Sequence, residues 1–410
     1  MKLPEHGKRW NDLETEMDEA RSQDVDWQNG RIGVYIHYGG EEVLAVAKQA
    51  YLKFFSENGL GPRAFPSLVR FERDVIQMTL GLLNGSPQAV GAMTTGGTES
   101  IFLAVRAARQ WARQHRPNVQ AAEILLAKSA HPAFNKAADF YGMQTRRVAI
   151  DADFRADPQA MASAINDNTI MVVGSAPAYP HGVIDPIEAL AGIATRHNLW
   201  LHVDACVGGF IAPFARRLGA PIPPFDFSVE GVRSMSADLH KYGYAAKGAS
   251  TVLYRDQESF DYQAYTFDEW SHGKYSTNTL VGTRAGGAIA AAWAVMNFLG
   301  EDGYMDITKR VMAIREKIEQ GVTDLGLTVW GKPELGIVVY GSKERDIGPI
   351  ADAMQSRHWF VGRTAEPPGI HLMLNLTHEP IVDQYLSDLA WALESTQGQS
   401  SKGQTSKVHY

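Results

Sequence analysis

The chain of 410 residues holds a single cysteine, Cys206. That excludes an intramolecular disulfide and a cysteine-based zinc cluster, and nothing in it calls for an oxidising compartment. No apolar run is long enough to span a bilayer. The most apolar stretch, 285–299, has about 15 mostly small residues against the roughly 20 that a span needs. The first eight residues carry no apolar run, so no signal peptide is expected. Basic charge is not in excess either: 39 Lys and Arg stand against 46 Asp and Glu, a net charge of −7. That balance argues against a broad nucleic-acid-binding surface. There is no Gly-Lys-Ser/Thr phosphate loop and no repeat at a spacing of 20–50 residues. What is present is ordinary globular composition, 45% hydrophobic and 21% charged, with enough chain for two or three domains. A soluble cytoplasmic protein is expected.

Periodicity organises most of the length. Residues 1–30 read as a polar arm with a short helix at Trp10–Arg21, and 31–38 as an aromatic-rich extended run. Two amphipathic helices are predicted over 41–55 and 66–84, the second stopped by Asn84-Gly85. From 100 onward helices (100–115, 132–141, 158–166, 187–197) alternate with strands (124–127, 145–150, 170–175, 199–204). Short strands at 234–236 and 251–254 follow. This alternation predicts a mainly parallel sheet covered on both faces, with binding residues at the carboxyl ends of its strands. Beyond helices at 285–298 and 307–325, strands at 327–330, 336–340 and 370–376 and helices at 347–357 and 380–394 predict a small α/β unit with an antiparallel sheet. The expected division is an arm over 1–60, a large domain over 61–298, a small domain over 299–395 and a low-complexity, disordered tail over 396–410.

Three stretches carry chemistry together. Ser234 to Tyr244 places Lys241 directly after His240. A lysine amine forms a Schiff base with a carbonyl when burial or a neighbouring cation lowers its pKa, although most lysines are only solvated surface groups. Leu201-His202-Val203-Asp204-Ala205 reads as a buried strand ending in a carboxylate. Such a carboxylate needs a partner, and a protonated pyridine nitrogen suits as well as a salt bridge or a helix cap. In Thr95-Gly96-Gly97-Thr98-Glu99-Ser100 the glycines admit backbone amides to an anion, and the helix that follows points its positive end at it. Taken alone the same turn is a plain helix cap. In the order cradle, carboxylate, lysine, the three meet the needs of pyridoxal phosphate.

Four further residues join them. His131, between a strand and a helix, is placed to stack on a flat ring and assist proton transfer. His240 would donate to a phosphate. His202 either supports Asp204 or is a satisfied core histidine. Lys247 would depress the pKa of Lys241, contact an anionic substrate group, or merely face solvent.

These motifs, with Pro180-His181-Gly182-Val183-Ile184-Asp185-Pro186 and the continuation Cys206-Val207-Gly208-Gly209-Phe210, resemble the sphingosine-1-phosphate lyases. Those are fold-type I pyridoxal-phosphate enzymes related to the group II amino acid decarboxylases. The resemblance runs from about Tyr35 to Leu393. It implies an α/β fold of the fold-type I, PLP-dependent transferase-like class, with a mainly parallel large domain and a small C-terminal α/β domain. It implies Lys241 as the cofactor-bearing lysine, Asp204 as partner of the ring nitrogen and His131 as the stacking group. Gly96, Gly97, Thr98 and His240 are then phosphate binders, with His202 and Ser236 among the cofactor-binding residues. Lys247 matches a second lysine important to activity, and Tyr38 an aromatic position near the substrate. Gly282 and Thr283 fall where the family reaches the neighbouring subunit's cofactor phosphate, so a homodimer with shared active sites is implied. No metal is implied.

Two departures stand out: Gly59-Leu60-Gly61-Pro62 replaces an Asn/Pro-rich loop, and Ala285 stands where proline is common. The eukaryotic enzymes carry an N-terminal membrane anchor, so a soluble bacterial-type form is expected; export to a host cell is left open. The implied reaction is C2–C3 cleavage of a phosphorylated sphingoid base to a long-chain aldehyde and phosphoethanolamine. His131, Lys247 or the cofactor phosphate is the base. An amino acid decarboxylase is the alternative, and a non-catalytic module that keeps the fold is a third reading. The position of Cys206 beside Asp204 disfavours a cysteine desulfurase.

Overall fold

The computed structural model describes residues 1–400. Helices α1 (Trp10–Arg21), α2 (Glu41–Lys53) and α3 (Pro66–Leu82) precede the sheet. Then follow β1 (Val90–Thr94), α4 (Gly97–His115), β2 (Glu123–Ala127), α5 (Ala133–Phe140), β3 (Gln144–Val148) and α6 (Pro158–Ala164). The alternation continues through β4 (Thr169–Ser175), α7 (Ile187–Arg196), β5 (Trp200–Asp204), α8 (Ala212–Arg217), β6 (Val232–Ala237) and β7 (Ser250–Tyr254). Strands β2, β4, β5 and β7 are buried at every position. This explains why they read as unbroken apolar runs rather than alternating ones: helices cover both faces.

The seven strands are ordered β1-β7-β6-β5-β4-β2-β3. Only β7 runs against its neighbours; the pairs from β6 to β3 are parallel. The carboxyl ends of β1, β2, β4, β5 and β6 therefore lie along one edge, where such sheets bind ligands. On one face α4 and α5 pack Leu103, Trp111 and Phe134 against Trp200 and Tyr254. On the other, Ile187, Leu190, Ile289 and Val311 join a larger core that continues to the small sheet.

After β7 come α9 (Gln257–Asp261) and a hairpin of β8 (Tyr265–Phe267) with β9 (Tyr275–Thr277). Helix α10 (Gly286–Asp324) leads to β10 (Thr328–Val329), β11 (Ile337–Gly341), α11 (Ile347–Ser356), β12 (Gly362–Ala365), β13 (Pro368–Met373) and α12 (Val382–Ser395). The second sheet, β10-β11-β13-β12, is antiparallel throughout. Among the described residues no helix is long and apolar enough to cross a membrane.

Several features depart from the sequence expectation. The two helices expected at 285–298 and 307–325 are both present as the halves of α10, which meet at a break at Gly300 (φ 55°, ψ −170°), so the second begins earlier than expected. Strand β1, which delivers the cradle, was not expected. Gly91 interrupts its pattern because a Cβ there would lie 2.6 Å from the Val252 carbonyl oxygen of β7. Residues 31–38 are not a strand: Ile32 makes a single bridge to Phe360, and Tyr35 turns the chain at φ 67°. Most of the low-complexity tail, 401–410, lies outside the described residues.

Candidate active site

Five strand ends deliver the groups. The turn after β1 supplies Gly96, Gly97 and Thr98; the end of β2 supplies His131; β4 ends at Ser175, β5 at Asp204, and β6 runs into Asp238, His240 and Lys241. All of these residues line one cavity of about 380 Å³, together with Tyr179 and Cys206. That volume suits a small molecule.

The cradle is tightly built. Thr95 donates through its N–H and hydroxyl to Glu99 Oε2, at 2.7 and 2.6 Å. Glu99 Oε1 accepts the N–H groups of Leu280 and Val281 at 2.9 and 3.3 Å, so one carboxylate ties the cradle to the 280–281 segment. A Cβ on Gly97 would lie 2.8–2.9 Å from Cys206 Sγ and the Asp238 oxygens, so only glycine brings the backbone this close. The Nδ1 of His240 is buried without a hydrogen-bond partner among the described residues. Its Cε1 faces Gly96, 3.7 Å from where a Cβ would stand. An imidazole edge, backbone amides and the start of a 19-residue helix converge there, a donor set that fits a phosphate.

Asp204 is buried, with Oδ1 accepting the Cys206 N–H at 3.1 Å and the Ser236 hydroxyl at 3.3 Å. Behind it, His202 Nε2 meets Ser236 Oγ at 3.3 Å and Nδ1 meets Ser234 Oγ at 2.8 Å. Burial pulls the His202 pKa down to about 4, so this ring is neutral. His202 and Ser236, expected among the cofactor-binding residues, do not line the cavity. They form a hydrogen-bonded row that orients the Asp204 carboxylate.

His131 accepts the Ala133 N–H on Nδ1 at 3.1 Å, which leaves the proton of the neutral ring on Nε2. Burial, with help from Lys241, lowers its pKa against the pull of Asp204. Its neutral form therefore dominates at neutral pH.

Lys241 reverses the expectation of a lowered pKa. Burial does press it down, but Asp238 Oδ2 lies 3.1 Å from Nζ, and Asp204 adds to the pull. At that distance two charges interact by roughly 5 kcal/mol at an effective dielectric near 20, enough to offset several kcal/mol of ammonium desolvation. The lysine pKa ends above its usual value. The repulsion from Lys247 does not prevail against Asp238; Lys247 is itself lowered to about 8, by lost hydration and then by the Lys241 charge. Although the residue is exposed as a whole, its ammonium is turned inward, donating to the His240 carbonyl at 3.1 Å and the Tyr35 carbonyl at 3.3 Å.

Tyr38, expected near the substrate, does not line the cavity; its hydroxyl bonds Glu41 at 2.6 Å. Lys247 is not among the lining residues either. Gly282 lines a separate hollow with Glu72, Tyr275 and Thr277, and neither it nor Thr283 reaches the Lys241 cavity of its own chain; the expectation for both concerned the neighbouring subunit's cofactor. Asp238 and Tyr179 were missed. Asp238 carried a usable signal, a carboxylate ending a buried strand, the same one that marked Asp204.

Beyond His131 and Tyr179, which line both, lies a larger cleft of about 1140 Å³ between the sheet edge and the small sheet. Val34, Tyr35, Ile150, Phe360 and Val361 are among its walls. Its cations are already paired: Lys128 with Glu366, Arg363 with Asp352, and Arg147 with Asn135 and the carbonyls of 127, 128 and 130.

The family model described as the pyridoxal-dependent decarboxylase conserved domain matches residues 2–343. The sphingosine-1-phosphate lyase of Arabidopsis thaliana is 44% identical over 388 residues, 92% of this chain and 71% of that protein. The sphingosine-1-phosphate lyase 1 of Mus musculus is 37% identical over 391 residues, 94% and 68% of the two. Among solved structures, the Burkholderia pseudomallei sphingosine-1-phosphate lyase superposes with a TM-score of 0.92 at 35% identity, covering 96% of this chain and 92% of that one. A Lactobacillus brevis glutamate decarboxylase shares the fold, with a TM-score of 0.84 at 18% identity and coverage of 96% and 94%.

Proposed function

Because the chain belongs to the sphingosine-1-phosphate lyases, within the pyridoxal-dependent decarboxylase family, we propose that it cleaves the C2–C3 bond of a phosphorylated sphingoid base. The products are a long-chain aldehyde and phosphoethanolamine. One observation carries the reading: the cavity holding Lys241, Asp204 and the Gly96–Gly97 cradle opens past His131 and Tyr179 into a larger cleft walled in part by Val34, Tyr35, Ile150, Phe360 and Val361. A head group and a long tail fit that pair of spaces.

Bound pyridoxal phosphate supplies the sink for the electron pair released when the C2–C3 bond breaks. Gly96, Gly97, Thr98 and His240 would hold its phosphate, and Lys241 its carbonyl carbon. Asp204, oriented by Ser236 and His202, would keep a proton on the ring nitrogen. His131 would cover the ring face and present its Nε2 proton to the substrate side. Lys247, lowered to about 8, is the base we assign to the C3 hydroxyl proton. The ammonium of Lys241 is the acid placed to return a proton to C2. His131 and the residues around it would orient the substrate over the cofactor, and that orientation would decide which bond is cleaved.

A homodimer belongs to the same reading. Leu280 and Val281, which flank Gly282 and Thr283, are exposed, as are Phe267 and Trp270 on the β8–β9 hairpin. A cytoplasmic setting fits the buried, unpaired thiol of Cys206. The domain boundary of this reading falls near the break at Gly300.

The test is incubation of the loaded protein with sphingosine 1-phosphate and analogues of shorter chain. Aldehyde release is expected, with kcat/KM rising about fourfold per added methylene, the equivalent of about 0.8 kcal/mol each. Release of CO2 from amino acids without any aldehyde would replace this reading with a decarboxylase.

A further inference from the structure

We propose that Asp238 is the counter-ion that receives Lys241 each time its amine is liberated, keeping that amine as an ammonium and so handing the reaction an acid rather than a base. The proposal rests on the reading of Lys241 as the cofactor-bearing lysine. Asp238 itself would touch neither the ring nor the substrate; it acts through Lys241, as a positioning residue.

The geometry is specific. Asp238 is 2% exposed and stands at the end of β6, immediately before the turn that carries His240 and Lys241. Its Oδ2 is 3.1 Å from Lys241 Nζ and 3.7 Å from His240 Nε2. Its Oδ1 is buried and has no hydrogen-bond partner among the described residues. A buried carboxylate needs partners, and Lys241 is the cation this one has at hydrogen-bond distance. The carboxylate lies close under the cradle: a Cβ on Gly97 would stand 2.9 Å from both of its oxygens. The other buried carboxylates of the cavity are committed elsewhere: Asp204 to the Cys206 N–H and Ser236, and Glu99 to Thr95 and the N–H groups of Leu280 and Val281.

The remaining groups around Lys241 do not supply this charge. The thiol of Cys206, raised by burial, is neutral at neutral pH. His131, His240 and His37 are all lowered, chiefly by burial. Lys247 repels. Asp238 is therefore the anion that faces Nζ directly. A substrate amine arrives as an ammonium. When it displaces the lysine nitrogen, the arriving proton must end on some group, and Lys241 beside Asp238 is the group built to take it. One proton enters with the substrate and one sits on Lys241 afterwards, available to the carbon that has lost its neighbour.

The experiment reads the lysine itself. The cofactor is stripped from the full chain, and the amines are labelled with a trace of acetic anhydride across a pH series. Acetylation of Lys241 is then compared with that of the exposed Lys2 by mass spectrometry. In the wild type, Lys241 should begin to label at a higher pH than Lys2. Labelling at or below the pH of Lys2 overturns the proposal without any variant. In Asp238→Asn the labelling midpoint should fall by at least one unit, about a tenfold gain in reactivity at a fixed pH below both midpoints, and Asp238→Glu should restore most of the wild-type profile. A profile in Asp238→Asn that superposes on the wild type also overturns it. In the loaded protein, the visible absorbance of Asp238→Asn should titrate at lower pH than that of the wild type. None of these readouts requires turnover. Failure of the reading of Lys241 as the cofactor-bearing lysine would show elsewhere, as visible absorbance and aldehyde release that survive in Lys241→Ala.

Discussion

Lys241 and Lys247 lie in one turn, yet their surroundings push them apart. Asp238 holds the first as a cation, while the second, under two carbonyls and facing that cation, is lowered to about 8. The pair divides acid from base, as catalytic sites do when environments split like groups. If Lys247 is the base, it must be neutral to act, so kcat/KM should rise with pH through about 8. Lys247→Ala should remove that limb and about 10²–10⁴ of the rate. A rising limb with an unchanged midpoint in that variant would move the base to another residue. Lys241→Ala should lose both visible absorbance and turnover. Asp204→Ala should keep part of its cofactor, by absorbance after dialysis, while turnover falls about 10²–10³-fold, as when a preorganised electrostatic group is removed.

At this scale the sequence was informative where a short motif carried the chemistry. Gly96-Gly97, Asp204 and His240-Lys241 all meet in the cavity. Asp238 was missed although it closes a buried strand as Asp204 does, because beside His-Lys it reads as an ordinary turn residue. The charge balance between burial and Asp238, which inverts the expected shift of Lys241, depends on a distance that no spacing encodes.

Elements hold the strand ends in register. Asp185, in the Pro-His-Gly-Val-Ile-Asp-Pro motif, accepts the N–H groups of Ser175 and Ala156, each at 2.7 Å. It is buried, and burial raises its pKa to about 6 against those two bonds. Asp185→Ala would leave two buried N–H groups without partners at the end of β4. It should cost about 2–5 kcal/mol, read as a lower urea midpoint. Because the folded pKa lies above the ordinary carboxyl value, ionisation opposes folding. The Asp185 contribution to stability is therefore greatest below about pH 4 and declines as pH rises to about 6.

Buried strands were legible because both their faces are covered, which leaves uninterrupted apolar runs. Strands β8, β9 and β12 were not, being three or four residues long with no fully buried position. Nor was β1, whose glycine answers to a neighbouring strand rather than to its own pattern.

For the whole molecule, the parallel sheet and the antiparallel one were both legible from the change in texture after α10. How the two sheets enclose a cleft was not, since that depends on packing between distant segments. The apolar side chains at Leu280, Val281, Phe267 and Trp270 are costly to leave in water over so small an area. The protein should sediment as a dimer, and Leu280→Glu should shift it toward monomer and weaken cofactor retention. A monomeric wild type of full activity would dismiss the shared site.

One contact bears on traffic. Lys128, just beyond β2, pairs with Glu366 in the turn between β12 and β13, and His181 Nε2 meets the carbonyl of the same Glu366 at 3.2 Å. The turn is thus fastened to the opposite bank at two points, by a pair whose side chains are largely in water. Exposed ion pairs contribute at most about 1 kcal/mol and fade with salt. If the substrate tail enters beneath that turn, dissolved ions that loosen the latch should speed entry and leave bond breaking alone, read as kcat/KM rising with salt at constant kcat.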